Sequence, residues 1–132
     1  MGTFDALGIA GSGLTVNRHW LDAVSDNLAN IDTARPTSEA AFQARYVVAS
    51  EMPGGGVQVA GDVLSGNTAG RVVNDPGNPL ADAEGNVRYP DIDMSSQMVQ
   101  LIMAQRGYQA NAAVIGRAKD AYEAALAIGR NL

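Results

Sequence analysis

Apolar residues recur every seven positions at both ends of this chain, and the middle follows a different rhythm. At the N-terminal end Leu7, Leu14, Leu21 and Leu28 stand seven apart, with Ala10, Asn17, Val24 and Ile31 between them. At the C-terminal end Leu101, Tyr108, Ile115 and Tyr122 repeat the spacing, interleaved with Met98, Gln105, Ala112, Lys119 and Leu126. A seven-residue repeat holds one seam on one face of a helix, so that the helix can lie along another helix. The pattern predicts a helix over 3–31 and a second from near Asp93 to Gly129, roughly 55 Å long at about 1.5 Å per residue. Asp91 and Asp93 are placed to cap the second helix. Asn30 is placed to close the first in a left-handed conformation. Gly2, Gly8, Gly11 and Gly13 crowd the first turns. Each glycine inside a helix costs about 0.8–1 kcal/mol relative to alanine, so this start needs packing partners.

Between the ends the period shortens to two. Phe42 to Met52 reads as a strand, Pro53-Gly54-Gly55-Gly56 as a breaker, and Val57, Val59 and Val63 alternate with Gln58 and Asp62 as in a half-buried strand. Arg71–Asn74 and Val87–Tyr89 are shorter strand candidates, separated by the turn-forming residues Asp75-Pro76-Gly77-Asn78-Pro79 and Glu84-Gly85-Asn86. The fold class that follows is mainly α with a small β insertion. Two long terminal helices pack as an antiparallel coiled coil, and the middle is rich in β-hairpins. Residues 1–33 and 94–132 form the helical unit, and 34–93 the linker and insertion.

Both helices carry a second apolar stripe. Ile9, Val16, Trp20 and Ala23 lie away from the leucine seam of the first helix. Val99, Met103, Ala110, Val114, Ala121, Ile128 and Leu132 do the same in the second. A two-helix hairpin in water needs one apolar stripe per helix. Two stripes predict burial on more than one side, by neighbours beyond the chain. Alanines at 104, 110, 113, 118 and 121 would let helices approach closely. A self-contained hairpin with no partners is the competing reading of the heptads.

Composition narrows the functional classes. The chain is 46% apolar but only 5% aromatic, so a bulky core is poorly supplied. The net charge of −5 sits in the middle, while residues 94–132 are net positive. No basic patch is large enough to follow a phosphate backbone, which argues against nucleic acid. With no cysteine, disulfides, thiolate catalysis and sulfur-ligated zinc are excluded. The N-terminus lacks the pattern of a secretory signal, and no segment reaches the roughly 18–20 apolar residues of a membrane span.

Candidate chemistry is sparse. Gly8-Ile9-Ala10-Gly11-Ser12-Gly13 lacks the spacing, preceding strand and lysine of a phosphate loop, and Ser12 lacks the surroundings of a nucleophile elbow. His19 is the only histidine, with Asp22 as its sole nearby acid in sequence. Asp82-Ala83-Glu84-Gly85-Asn86 reads as a turn, since the spacing of a calcium loop is missing. No catalytic group, metal or cofactor is expected.

Two segments resemble a known family. Ser12-Gly13-Leu14, Leu21-Asp22 and Asp26-Asn27-Leu28-Ala29-Asn30-Ile31-Asp32-Thr33 resemble the N-terminal signature of flagellar rod, hook and hook-associated proteins, with its N-I/L-A-N-x-x-T hallmark. Tyr89-Pro90-Asp91-Ile92-Asp93, Met98-Val99 and Ile102 to Asn111 resemble the C-terminal signature of the proximal rod members, continued by Ala118-Lys119-Asp120 and Ala125 to Arg130. Gly56 to Gly61 and Asp75 to Asp82 are similar to their middle region. The resemblance implies a structural subunit of the bacterial flagellar basal body, in the periplasmic rod. It implies export by the flagellar type III apparatus without a cleaved signal, and no insertion into the membrane. The partners it implies are other copies of the chain, neighbouring rod proteins, the rod-base adaptor and the inner-membrane ring. Assembly contacts would then fall on Leu7, Leu14, Trp20, Leu21, Val24, Asn27, Leu28, Asn30, Ile31, Met98, Leu101, Met103, Tyr108, Asn111, Ile115, Tyr122 and Leu126. A soluble coiled-coil binding module, or an export adaptor acting off the rod, is the alternative.

Overall fold

The computed structural model describes residues 2–130, with the Thr3 side chain excepted. The elements follow in the order α1 (Thr3–Ala29), β1 (Ala44–Glu51), β2 (Val57–Ser65), β3 (Arg71–Asn74), β4 (Asn86–Tyr89) and α2 (Met94–Arg130). Helix α1 begins on Gly2, whose N–H donates to the Asp5 carboxylate at 2.8 Å. That bond satisfies one of the amides a helix start leaves without a partner, and places an acid at the positive end of the dipole. Helix α2 begins on Asp93 alone, whose carboxylate accepts the Ser96 N–H at 2.7 Å. Asp91 is exposed and takes no capping role. Asn30 ends α1 with φ −104°, outside the left-handed region. It seals the helix through its side chain instead, its Nδ2 donating to Asp26 O at 2.9 Å while Thr33 donates to its Oδ1 at 3.2 Å.

The helices lie side by side and antiparallel, as expected. Phe4 near the start of α1 meets Tyr122 late in α2 edge-to-face, with ring centroids 5.7 Å apart. At the other end Trp20 Nε1 donates to Gln100 Oε1 at 3.1 Å, and Asn27 bonds to Gln97. Phe4 pairs with Tyr122, so the last turns of α2 run on past the start of α1, and every residue from Lys119 to Arg130 is exposed.

β1 and β2 form an antiparallel hairpin with a bulge between Val48 and Ala49. Its tip, Gly54-Gly55-Gly56, has φ of 94°, 105° and 97° in succession. Side chains with a β-carbon rarely adopt such values, which is why three glycines stand there. β3 and β4 pair antiparallel in a second small sheet. The linker after α1 is tied to that sheet, since Arg35 and Arg88 exchange both backbone hydrogen bonds, at 2.8 and 2.9 Å. Asp82 organises the β3–β4 connection. It accepts the Asn86 N–H at 2.8 Å, the Glu84 N–H at 3.0 Å and the Thr37 hydroxyl at 2.8 Å. These bonds, the Asn86 N–H foremost, hold its carboxyl below the ordinary value of 3.8.

Two sequence expectations are revised here. The second stripe of α1 is largely covered within the chain, because the β1–β2 hairpin lies on it, and only Ile9 of the four stays exposed. The Val57 N–H donates to Ser12 Oγ at 3.0 Å, and Val16 and Trp20 face Val47 and Ala49 across a cleft of about 210 Å³. β2 itself is mostly exposed, with Val63 and Leu64 open to solvent despite the alternation. A two-stranded hairpin resting on one helix has too little partner surface to bury both strands.

Candidate assembly interface

The buried apolar core is small-residue in character: Ala10, Ala23, Val24, Ile31, Ala41, Ala44, Val87 and Ala104. Such side chains let backbones approach but bury little area each, at about 25 cal/mol per Å². Polar groups complete the junction. Asn27 and Gln97 are buried. Asn27 Oδ1 accepts the Arg45 N–H at 2.8 Å and its Nδ2 donates to Arg45 O at 2.9 Å and to Gln97 Oε1 at 3.0 Å. Gln97 Nε2 then donates to the Tyr46 hydroxyl oxygen at 3.1 Å. One carboxamide thus copies a neighbouring strand for β1 and joins it to both helices.

Charge clips the hairpin down outside this network. Asp62 on β2 faces His19 Nε2 at 3.0 Å and Arg45 Nη1 at 3.0 Å, and Arg45 also pairs with Asp26 on α1. Desolvation raises the Asp62 carboxyl, but the hydrogen bonds and charge of His19 and Arg45 outweigh it and bring the group below 3.8. His19 is therefore spent on a clip between α1 and β2. Among the described residues no three His, Asp or Glu side chains gather as a metal site would require. The larger open cleft, about 360 Å³ beside Asp32, Arg71, Val73 and Tyr89, brings together no nucleophile and base.

The residues predicted for assembly divide in two. Val24, Asn27 and Ile31 are buried, and Leu7, Leu14, Trp20, Leu21, Leu28, Asn30, Leu101, Asn111 and Ile115 half-buried, so their contacts lie largely within the chain. Met98, Met103, Tyr108, Tyr122 and Leu126 are exposed. The interleaved register of α2 differs from the expected one. Gln97, Ala104, Asn111 and Ala118 lie toward α1, whereas Met98, Gln105, Ala112, Lys119 and Leu126 do not. The sequence favours Met98 on hydrophobicity, but a close crossing takes the smaller residues and Asn27 requires Gln97. Of the alanines expected to permit close approach only Ala104 is buried, with Ala118 half-buried. Glycines 13 and 107, unassigned by the pattern, each face a side chain of the opposite helix instead, Asn111 and Asn17.

What remains uncovered is the second stripe of α2. Val99, Met103, Ala110, Val114, Ala121 and Ile128 fall within about 60° of arc at 100° per residue. Met103 is 53% exposed, Val114 45% and Ile128 65%, and among the described elements only α1 packs along α2. Leu132, which completes the stripe in sequence, lies outside the described residues. Met94, Met98 and Ile102 extend the exposed apolar surface on the other flank. An exposed helix face this long and this apolar marks a site of protein association.

The comparison with known proteins gives the family. The flagella basal body rod protein family matches residues 7–37, and the C-terminal family of the flagellar basal body rod FlgEFG proteins matches residues 83–128. The flagellar basal-body rod protein FlgC of Escherichia coli O157:H7 is 37% identical, aligned over 98% of this chain and 100% of its own length. The chain belongs to the FlgC family of flagellar basal-body rod proteins. FlgC of Salmonella typhimurium is 36% identical and that of Bacillus subtilis 32%, each over 98% of this chain and the whole of the relative. The two matches to flagellar rod families take in most of α1 and most of α2, the two elements that make the seam. Relatives of this family are named as rod proteins.

Proposed function

We propose that the chain builds the wall of the flagellar rod through the outer face of α2, with α1 and α2 acting as an antiparallel coiled coil. It is a structural subunit of the basal-body proximal rod. The single observation that supports the mode of assembly is the stripe through Met103, Val114 and Ile128, which stays exposed among the described residues. Neighbouring helices from other copies and from other rod proteins would bury it. The rod-base adaptor and the inner-membrane ring would meet the subunit at the base. Residues 1–33 and 94–132 would form the rod core and 34–93 a linker and insertion on its side. Export through the flagellar type III apparatus, without a cleaved signal, would deliver the chain to the periplasmic rod. A glycine-rich α1 start suits that route, since a marginal helix unfolds at little cost.

Deletion of the gene, followed by imaging of isolated basal bodies, tests the reading. Basal bodies that lack a complete rod are the expected outcome. A complete rod without this chain would overturn it.

A further inference from the structure

Each helix carries the same four-residue spacing on the side that faces the other: Gly13 and Asn17 on α1, Gly107 and Asn111 on α2. Asn17 Nδ2 donates one turn back to Gly13 O at 2.8 Å, and Asn111 Nδ2 donates one turn back to Gly107 O at 2.9 Å. Each carboxamide is held on its own helix in this way, and its other end stands over the glycine of the opposite helix. A β-carbon on Gly107 would lie 2.5 Å from Asn17 Oδ1, and one on Gly13 would lie 2.7 Å from Asn111 Oδ1. Both distances are too short for real atoms, so each glycine is the only residue its position admits without a shift. The two halves are reciprocal, Gly13 standing to Asn111 as Gly107 stands to Asn17.

We propose that these four residues form a reciprocal clasp that selects one register for the helix pair. The leucine heptad cannot do this alone. A slip of seven residues returns Leu7, Leu14, Leu21 and Leu28 to equivalent heptad positions along α2. The same slip carries Asn111 from Gly13 onto Ala6 or Trp20, and moves Asn17 off Gly107. Both new contacts meet a side chain where the amide needs bare backbone. A polar residue in an apolar seam is a recognised means of fixing register. Here it acts twice, through shape as well as hydrogen bonding, and so determines how far α2 projects beyond α1. The clasp concerns the chain itself and stands apart from the rod reading.

Because the chain has no cysteine, engineered pairs report register without background. In the purified full chain, Phe4→Cys with Tyr122→Cys reports the observed register, and Phe4→Cys with Gly129→Cys a one-heptad slip. The parent is expected to favour the first crosslink by about tenfold or more, a ratio within the coupling seen between residues in contact. Asn17→Ala with Asn111→Ala, which adds no bulk, is expected to lower the ratio of the first crosslink to the second by about threefold or more, with the Asn27–Gln97 bond retaining the rest of the preference, while far-UV circular dichroism stays helical. Gly13→Ala should lower the first crosslink, and adding Asn111→Ala should restore it, whereas adding Asn17→Ala should not. Gly107→Ala should be restored by Asn17→Ala and not by Asn111→Ala. Failure of the parent to form the first crosslink overturns the clasp. So does a parent-like ratio in the double asparagine variant, or equal recovery by matched and mismatched pairs.

Discussion

Asn27 and Gln97 lie 70 residues apart in sequence and share a 3.0 Å hydrogen bond in the interior, where both are closed to solvent. The same Asn27 side chain holds the N–H and C=O of Arg45, so three segments converge on one carboxamide. With a core built largely of alanine and valine, this junction carries a disproportionate share of the fold's specificity. An unsatisfied buried polar group costs more than a made hydrogen bond contributes.

Asn27→Ala should therefore lower the stability of the purified chain by about 2–4 kcal/mol, since it strands several buried polar groups at once. Urea unfolding followed by circular dichroism measures this. A loss below about 0.5 kcal/mol, the range of an ordinary surface substitution, would show that the network is dispensable.

The ion cluster of the hairpin predicts an acid response. The folded-state value of Asp62 lies below its ordinary 3.8 because of His19 and Arg45. A depressed carboxylate contributes stability that is present above the unfolded-state value and is lost as the pH falls through the folded-state value. Asp62→Asn should be less stable than the parent at pH 6, and the gap should close below pH 3.8. Asp82→Asn should behave similarly, through the Asn86 N–H and the Thr37 hydroxyl. A gap that widens on acidification would contradict both assignments.

Seam and outer face should separate cleanly in their effects. Leu21 is half-buried against α2, so Leu21→Asp should destabilise the isolated chain by about 3 kcal/mol, through lost burial and a desolvated charge. Val114 is 45% exposed. Val114→Asp should leave the isolated chain within about 0.5 kcal/mol of the parent and still abolish swimming. Normal motility in a Val114→Asp strain would remove this face from the assembly surface.

The end of α2 that projects past Phe4 offers a fourth case. Residues from Glu123 onward are exposed throughout the described range, so a stop after Tyr122 should leave the unfolding transition nearly unchanged. It removes Leu126 and Ile128 from the exposed surface, and rod completion scored by imaging should fail. A large drop in the melting temperature would instead show that this end stabilises the chain itself.

Much of the architecture was legible because it is written in local patterns. The heptads and the flanking turn residues placed α1, α2 and all four strands within a few residues, and the leucine seam pointed to helix pairing. The same local logic misplaced what depends on distant partners. It assigned Met98 to the seam on hydrophobicity, although the space opposite is closed by Asn27 and admits Gln97. It counted Gly13 as a weakness of α1, whereas a β-carbon there would have to displace the Asn111 carboxamide. It sent the second stripe of α1 to an outside neighbour, although the β1–β2 hairpin of the same chain covers most of it.

The sequence by itself determined the periods, the breaks and the family, since each depends on residues close together or on their order. Only the tertiary structure decided which of two apolar stripes stays open, and in which register the helices cross. Those outcomes depend on the volume and hydrogen-bonding needs of side chains up to nearly a hundred positions apart. Packing and polar satisfaction, unlike periodicity, are properties of pairs that folding must first bring together.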